Sequence, residues 1–204
     1  MRKLVRLFTL TLMTTAVSTS AMAKKKHKEV QMQFKSKTIN VSADKLWEIV
    51  GPGFEEAYIW STAVDHSSGS GEAQFEGATC DNRSCDLNAK GFNKIEEKLT
   101  IYNIENKELA YNIIHGLPGF VLKANSYWKV TEISPNQSRV ELISTMHTKK
   151  FMGTLMGGML QKQIKAVIPT VLNDLKVYAE TGNISDEKKQ RVAKLESKSK
   201  NKKS

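Results

Sequence analysis

The period of the apolar residues changes once along this chain, and that change limits the fold more than any other feature. From Val30 to His147 apolar side chains repeatedly alternate with polar ones, the period of strands that bury one face. From Leu155 onward the spacing becomes i, i+3, i+4. Leu155, Met156, Met159, Leu160, Ile164, Val167, Ile168, Val171, Leu172, Leu175 and Tyr178 form one stripe that Gly182 ends. A long helix with such a stripe, after a run of antiparallel strands, must bury it against their sheet, so an α+β layout is predicted. Pro169 lies inside the stripe and predicts a kink or a break near Val167.

The elements before the helix follow from local signals. Val30, Met32 and Phe34 open a strand that runs on toward Ile39 and Val41. Ser42 is a suitable N-cap, Asp44 suits a first turn, and Leu46, Trp47, Ile49 and Val50 supply a buried side. Gly51-Pro52-Gly53 stops that helix, and Phe54-Glu55-Glu56 can make a second short turn. Strands are predicted at 58–65, 73–80, 84–87, 94–103, 108–114, 122–133 and 139–147. Turns are predicted at 67–71, 106–107 and 134–138.

Charge separates the ends from the middle. The formal net charge is +10, yet residues 30–183 hold 16 basic and 17 acidic side chains. A nucleic-acid-binding domain concentrates basic residues on one face, and this middle has too few, so no nucleic-acid partner is expected. Residues 1–23 combine Arg2, Lys3 and Arg6, an uncharged apolar run, and Ala21-Met22-Ala23. That is the pattern of a cleaved secretory signal peptide, and it predicts a periplasmic protein. Residues 24–29 read as a charged leader and residues 30–182 as one domain. Residues 183–204 carry eight basic and three acidic side chains and predict a basic tail that is disordered or a frayed helix. The tail is read as a solubilising charge, or as a contact with an acidic membrane surface or partner protein. A monomer is expected.

Export makes the two cysteines, Cys80 and Cys85, a predicted disulfide closing a small loop. The four histidines lack ligand spacing, so no metal site is expected. Neither a Gly-x-Ser-x-Gly elbow nor a phosphate loop is present, so no cofactor and no catalytic residue is assigned.

Several segments resemble one family in the same order. Ile39-Asn-Val-Ser-Ala-Asp-Lys-Leu-Trp47-Glu-Ile-Val resembles the opening motif of the SRPBCC or START-like superfamily, also called Bet v 1-like. Trp60, Gly77-Ala78, Ile95-Glu96-Glu97-Lys98-Leu99, Tyr111, Leu117-Pro118 and Leu172-x-x-Leu175-Lys176-x-Tyr178 continue the likeness over residues 30–182. A cysteine loop replaces the basic residue usual after Gly-Ala. Among these proteins the chain is most similar to exported polyketide cyclase/dehydrase members, including the methanol-oxidation accessory type called MxaD. The resemblance implies a helix-grip fold, a curved antiparallel sheet around a long C-terminal helix, with two short helices after the first strand. It also implies a cavity between sheet and helix for a small hydrophobic molecule or lipid.

Strand parity then nominates the lining. Ile95, Glu97, Leu99 and Ile101 share one face, as do Leu109, Tyr111 and Ile113. So do Leu122, Ala124, Ser126, Trp128 and Val130, and Val140, Leu142, Ser144 and Met146. Candidate ligand-binding residues are Trp60, Glu97, Leu99, Tyr111, Ser126, Trp128, Ser144, Met146, Met156 and Met159. An inward carboxylate is costly unless paired or protonated, so Glu97 is either a polar anchor, a general acid/base, or half of a salt bridge. Three functions remain open on this reading. They are a carrier for an apolar molecule, an accessory protein acting through its surface on an exported partner, and a cyclase/dehydrase-type enzyme using Glu97 with Tyr111.

Overall fold

The computed structural model describes residues 27–89, 92–151 and 156–201. The signal-peptide prediction lies outside the described residues, as does the leader up to Lys26. The first strand, β1 (His27–Lys35), absorbs the rest of the leader. Helix α1 (Ala43–Val50) follows, capped as expected by the Ser42 hydroxyl, which accepts from the Lys45 amide at 3.2 Å. Its buried residues Leu46, Trp47 and Val50 face the sheet. Each such side chain contributes about 1.5–3 kcal/mol by leaving water. A 3-10 turn over Pro52–Glu56 leads into α2 (Ala57–Trp60). Residues 58–60 are therefore helical where alternation predicted a strand. Ala57 and Trp60, one turn apart, are both buried, and that packing outweighs the β preference of Tyr58 and Ile59.

Six strands complete the sheet: β2 (Val64–Ser70), β3 (Asn82–Leu87), β4 (Lys94–Asn103), β5 (Glu108–His115), β6 (Val121–Ser134) and β7 (Gln137–Lys149). Their order is β1-β7-β6-β5-β4-β3-β2, antiparallel throughout. Two predictions in the β2–β3 region fail. Residues 67–70 are strand and not turn, because they pair with β3, and most of 73–80 is irregular. Gly69 in β2 is needed there: a Cβ would sit 2.1 Å from the Glu55 carboxylate, whose Oε2 accepts from the Gly69 amide.

Helix α3 (Gly157–Thr181) runs through Pro169 without ending and stops at Gly182, which takes a left-handed φ of 70°. Val171, Leu172, Leu175 and Ala179 bury its later turns against α1, α2 and the sheet. The architecture is the expected helix-grip α+β fold. Of the two forms expected for the tail, Asp186–Asn201 take the helical one, α4, and it is ordered. Specific polar contacts order it, since composition alone supplies too few apolar residues. Among the described residues no helix is long and apolar enough to cross a membrane.

Candidate functional site

Two bulges set which side chains enter the interior. The β4–β5 register shifts between Leu99 and Ile101, so Tyr102 is buried and Ile101, expected inside, is exposed. The β6–β7 register shifts after Val121, which turns Val121 inward and leaves Leu122 53% exposed. Away from these two positions the alternation holds. Glu97, Leu99, Tyr111, Trp128 and Met146 are all buried as predicted.

Glu97 is 4% exposed and lies opposite Arg83 on β3. Arg83 Nε donates to Glu97 Oε2 at 2.7 Å, and Nη2 approaches the same oxygen at 2.5 Å. Arg83 Nη1 donates to the Phe54 carbonyl at 2.5 Å, and the guanidinium sits 3.9 Å from the Phe54 ring centre. Burial opposes the charge on Arg83, but Glu97 overcomes it and raises the guanidinium pKa. Glu97 is thus half of a buried ion pair, one of the alternatives its parity left open. The Cys85 thiol lies 3.6 Å from the same Glu97 oxygen, and burial first, with Glu97 adding to it, pushes its pKa up to about 12. Burial likewise raises the Cys80 thiol, helped by Glu55. The predicted disulfide is absent. Both cysteines are free and buried, Cys80 beside Gly69 and Cys85 paired across to Ser67 and Ile95, each in its own packing site.

The hydroxyl of Tyr111 accepts from the Trp128 indole at 3.4 Å, and Ser126 lies opposite Tyr111 on β6. Burial, reinforced by Glu97, pushes Tyr111 up to about 12. At neutral pH the interior therefore holds a neutral tyrosine, a protonated thiol and a satisfied ion pair.

The interior is nearly filled. Trp60, Phe54, Arg83, Leu109, Tyr111 and Trp128 surround a cavity of about 30 Å³. This is room for a water or two and far below the roughly 300–1,000 Å³ of ligand pockets. The larger apolar space, about 330 Å³, is a groove beside α3. Ile164, Val167 and Ile168 form one wall, and Ala63, Leu87 and Phe92 the other.

The predicted lining is accordingly divided. Trp60, Tyr111 and Trp128 gather around the small cavity, with Leu99 in the core and Ser126 half-buried beside Tyr111. Met146 and Met156 pack in a second apolar cluster with Met32, Phe120 and Leu160, and Ser144 is half-buried opposite Met32. Met159, expected to face the cavity, is 61% exposed, because it lies on the side of α3 turned away from the buried Gly157 and Leu160. Arg83 was missed. Its one signal is its shared parity with Cys85 and Leu87, which a closed loop over residues 80–85 hides. The groove residues Leu87 and Phe92 carried no motif at all. Among the described residues no cluster of three or more His, Cys, Asp or Glu could hold a metal.

Comparison with known proteins agrees with this geometry. The model of a family described as "Polyketide cyclase / dehydrase and lipid transport" matches residues 33–180. Norcoclaurine synthase from Thalictrum flavum, in complex with dopamine and hydroxybenzaldehyde, superposes with a TM-score of 0.58 at 14% identity, over 83% of this chain and 96% of that one. The Zhui aromatase/cyclase from Streptomyces sp. R1128 gives 0.59 at 14% identity, over 76% and 94%. The protein XoxI from Bacillus cereus gives 0.52 at 20% identity, over 74% and 92%. At these identities the likeness is one of fold. A search of curated proteins finds no match.

Proposed function

The chain belongs to the polyketide cyclase/dehydrase and lipid transport family, and from that membership we propose that it is a periplasmic carrier of a small hydrophobic molecule or lipid. The observation that carries this reading is the groove beside α3. Its volume, about 330 Å³, falls within the range of ligand sites, and its walls are almost wholly apolar. The signal-peptide pattern of residues 1–23 supports the location. The ligand seats against Phe92, Leu87 and Ile164 and is held by burial of apolar surface, without covalent chemistry.

An enzyme using Glu97 as a proton-transfer group has less support. Its carboxylate is held by Arg83, and the Tyr111 hydroxyl is engaged by Trp128. The surface-acting accessory reading draws support from the filled interior.

Native mass spectrometry of the protein purified from its own periplasm, followed by organic extraction, tests the proposal. A stoichiometric apolar molecule is expected, lost in an Ile164→Glu variant that puts a charge on the groove wall. A clean apo mass, with no uptake from a panel of fatty acids, phospholipids and apolar aromatics, refutes the carrier and favours the accessory protein.

A further inference from the structure

Helix α4 (Asp186–Asn201) lies beyond the residues matched by the family model. It is fastened by charged groups. Ser185 caps it, accepting from the Lys188 amide at 3.1 Å and donating to the fully buried Asp174 of α3. Asp174 in turn accepts from the Thr62 amide at 2.8 Å. Lys188, 2% exposed, donates to the carbonyls of Ser61 and Val64 at 2.9 Å each. Arg191 forms a two-point ion pair with Asp65.

This fastening is next to the apolar groove. Segment 61–64 is bound by Lys188 from one direction and by Asn88 from the other, the Asn88 amide donating to Ala63 at 2.9 Å. Ala63 and Asn88 both line the groove. The helix is thus attached to the groove's own wall, and its outer end is cationic. Lys194, Lys198 and Lys200 are exposed, and among the described residues they form no salt bridge. Residues 192–204 hold five lysines and one glutamate, with no arginine and no aromatic residue.

That composition selects the partner. Specific protein interfaces favour arginine and aromatic anchors and are poor in lysine. Clusters of four to eight basic residues without such anchors match the diffuse charge of acidic lipid headgroups. We propose that α4 is a docking element for an anionic bilayer, and that it seats the mouth of the α3 groove on the lipid surface. Val167, on the groove wall and 37% exposed, then faces the headgroups. What is exchanged there rests on the carrier reading above; the docking does not.

The test uses the chain from Lys24, which contains every described residue, with vesicles of phosphatidylglycerol and phosphatidylcholine and vesicles of phosphatidylcholine alone. Sedimentation should show binding to the anionic vesicles only, weakened by salt. Each lysine removed should weaken it about fivefold, so the K194Q/K198Q/K200Q variant should lose about a hundredfold. These positions are exposed, and an unchanged melting curve verifies that the variant folds. Orientation is read with Val167→Trp, whose emission should be quenched by brominated acyl chains over and above the wild-type tryptophans. Binding retained by the triple variant overturns the assignment of the contact to α4, as does equal binding to neutral vesicles. Tighter binding to polyglutamate than to the vesicles overturns the lipid partner. Docking without quenching overturns the seating of the groove. Docking by a protein that carries no ligand leaves this inference standing and refutes the carrier.

Discussion

Replacing Arg83 by Met removes one charge from a pair that is buried on both sides, since the Arg83 and Glu97 side chains are only 9% and 5% exposed. Three polar contacts disappear: two to Glu97 Oε2 and one to the Phe54 carbonyl. The cation stacked on Phe54 goes too. What dominates is the carboxylate left behind, desolvated with only the Cys85 thiol near it. Removing one partner of a buried pair costs about 3–5 kcal/mol, whereas replacing both by apolar groups of similar volume is often neutral or stabilising. Arg83→Met should therefore cost about 4 kcal/mol, and Arg83→Met with Glu97→Leu should recover most of it. Urea unfolding followed by the fluorescence of the three buried tryptophans, Trp47, Trp60 and Trp128, measures both. With a slope of about 2 kcal/mol per molar, the single variant should lose about 2 M from its midpoint. A loss under about 1 kcal/mol in the single variant, or a double variant no more stable than the single, would refute the claim that an unpaired Glu97 is the costly species.

Tyr111 and Cys85 hold their protons more tightly folded than unfolded, both pushed up to about 12 from ordinary values of 10 and 9. Their contribution is complete below about pH 9 and is lost as pH rises toward 12. Tyr111→Phe should therefore flatten the alkaline decline by about 3 kcal/mol, read by denaturant titrations across that window. The same raised thiols predict that Cys80 and Cys85 react with an aromatic disulfide reagent only after denaturant is added; two rapid equivalents in the native protein would contradict their burial. Lys188→Met strands the Ser61 and Val64 carbonyls, at about 1–3 kcal/mol for each group left unsatisfied. A fall in Tm of about 8 °C or more is expected, and an unchanged Tm would mean that α4 is not fastened there.

Local chemistry explains which parts could be read in advance. The Ser42 cap, the α1 face, the β6–β7 hairpin and the later turns of the α3 stripe depend on residues a few positions apart, and each agrees with the fold. Parity alone placed Glu97, Tyr111 and Trp128 inside. Where a β-bulge intervened, at Ile101 and Leu122, parity failed, because one extra residue breaks the alternation between the residues on its two sides.

The identity of Glu97's partner, by contrast, was settled by register: Arg83 meets it only because β3 pairs with β4 at that offset. The cysteines illustrate the same limit. Their spacing and the export signal suggested a bond, while the packing gave each thiol a separate buried site. Residues 183–204 have the composition of a disordered tail, yet Lys188 reaches Ser61, 127 positions earlier, and Asp65 awaits Arg191. Periodicity, capping and charge are properties of neighbours along the chain, and one strand of sequence displays them. Pair partners, bulges and the docking of α4 are properties of segments brought together from far apart, and they exist only once the sheet has formed around α3.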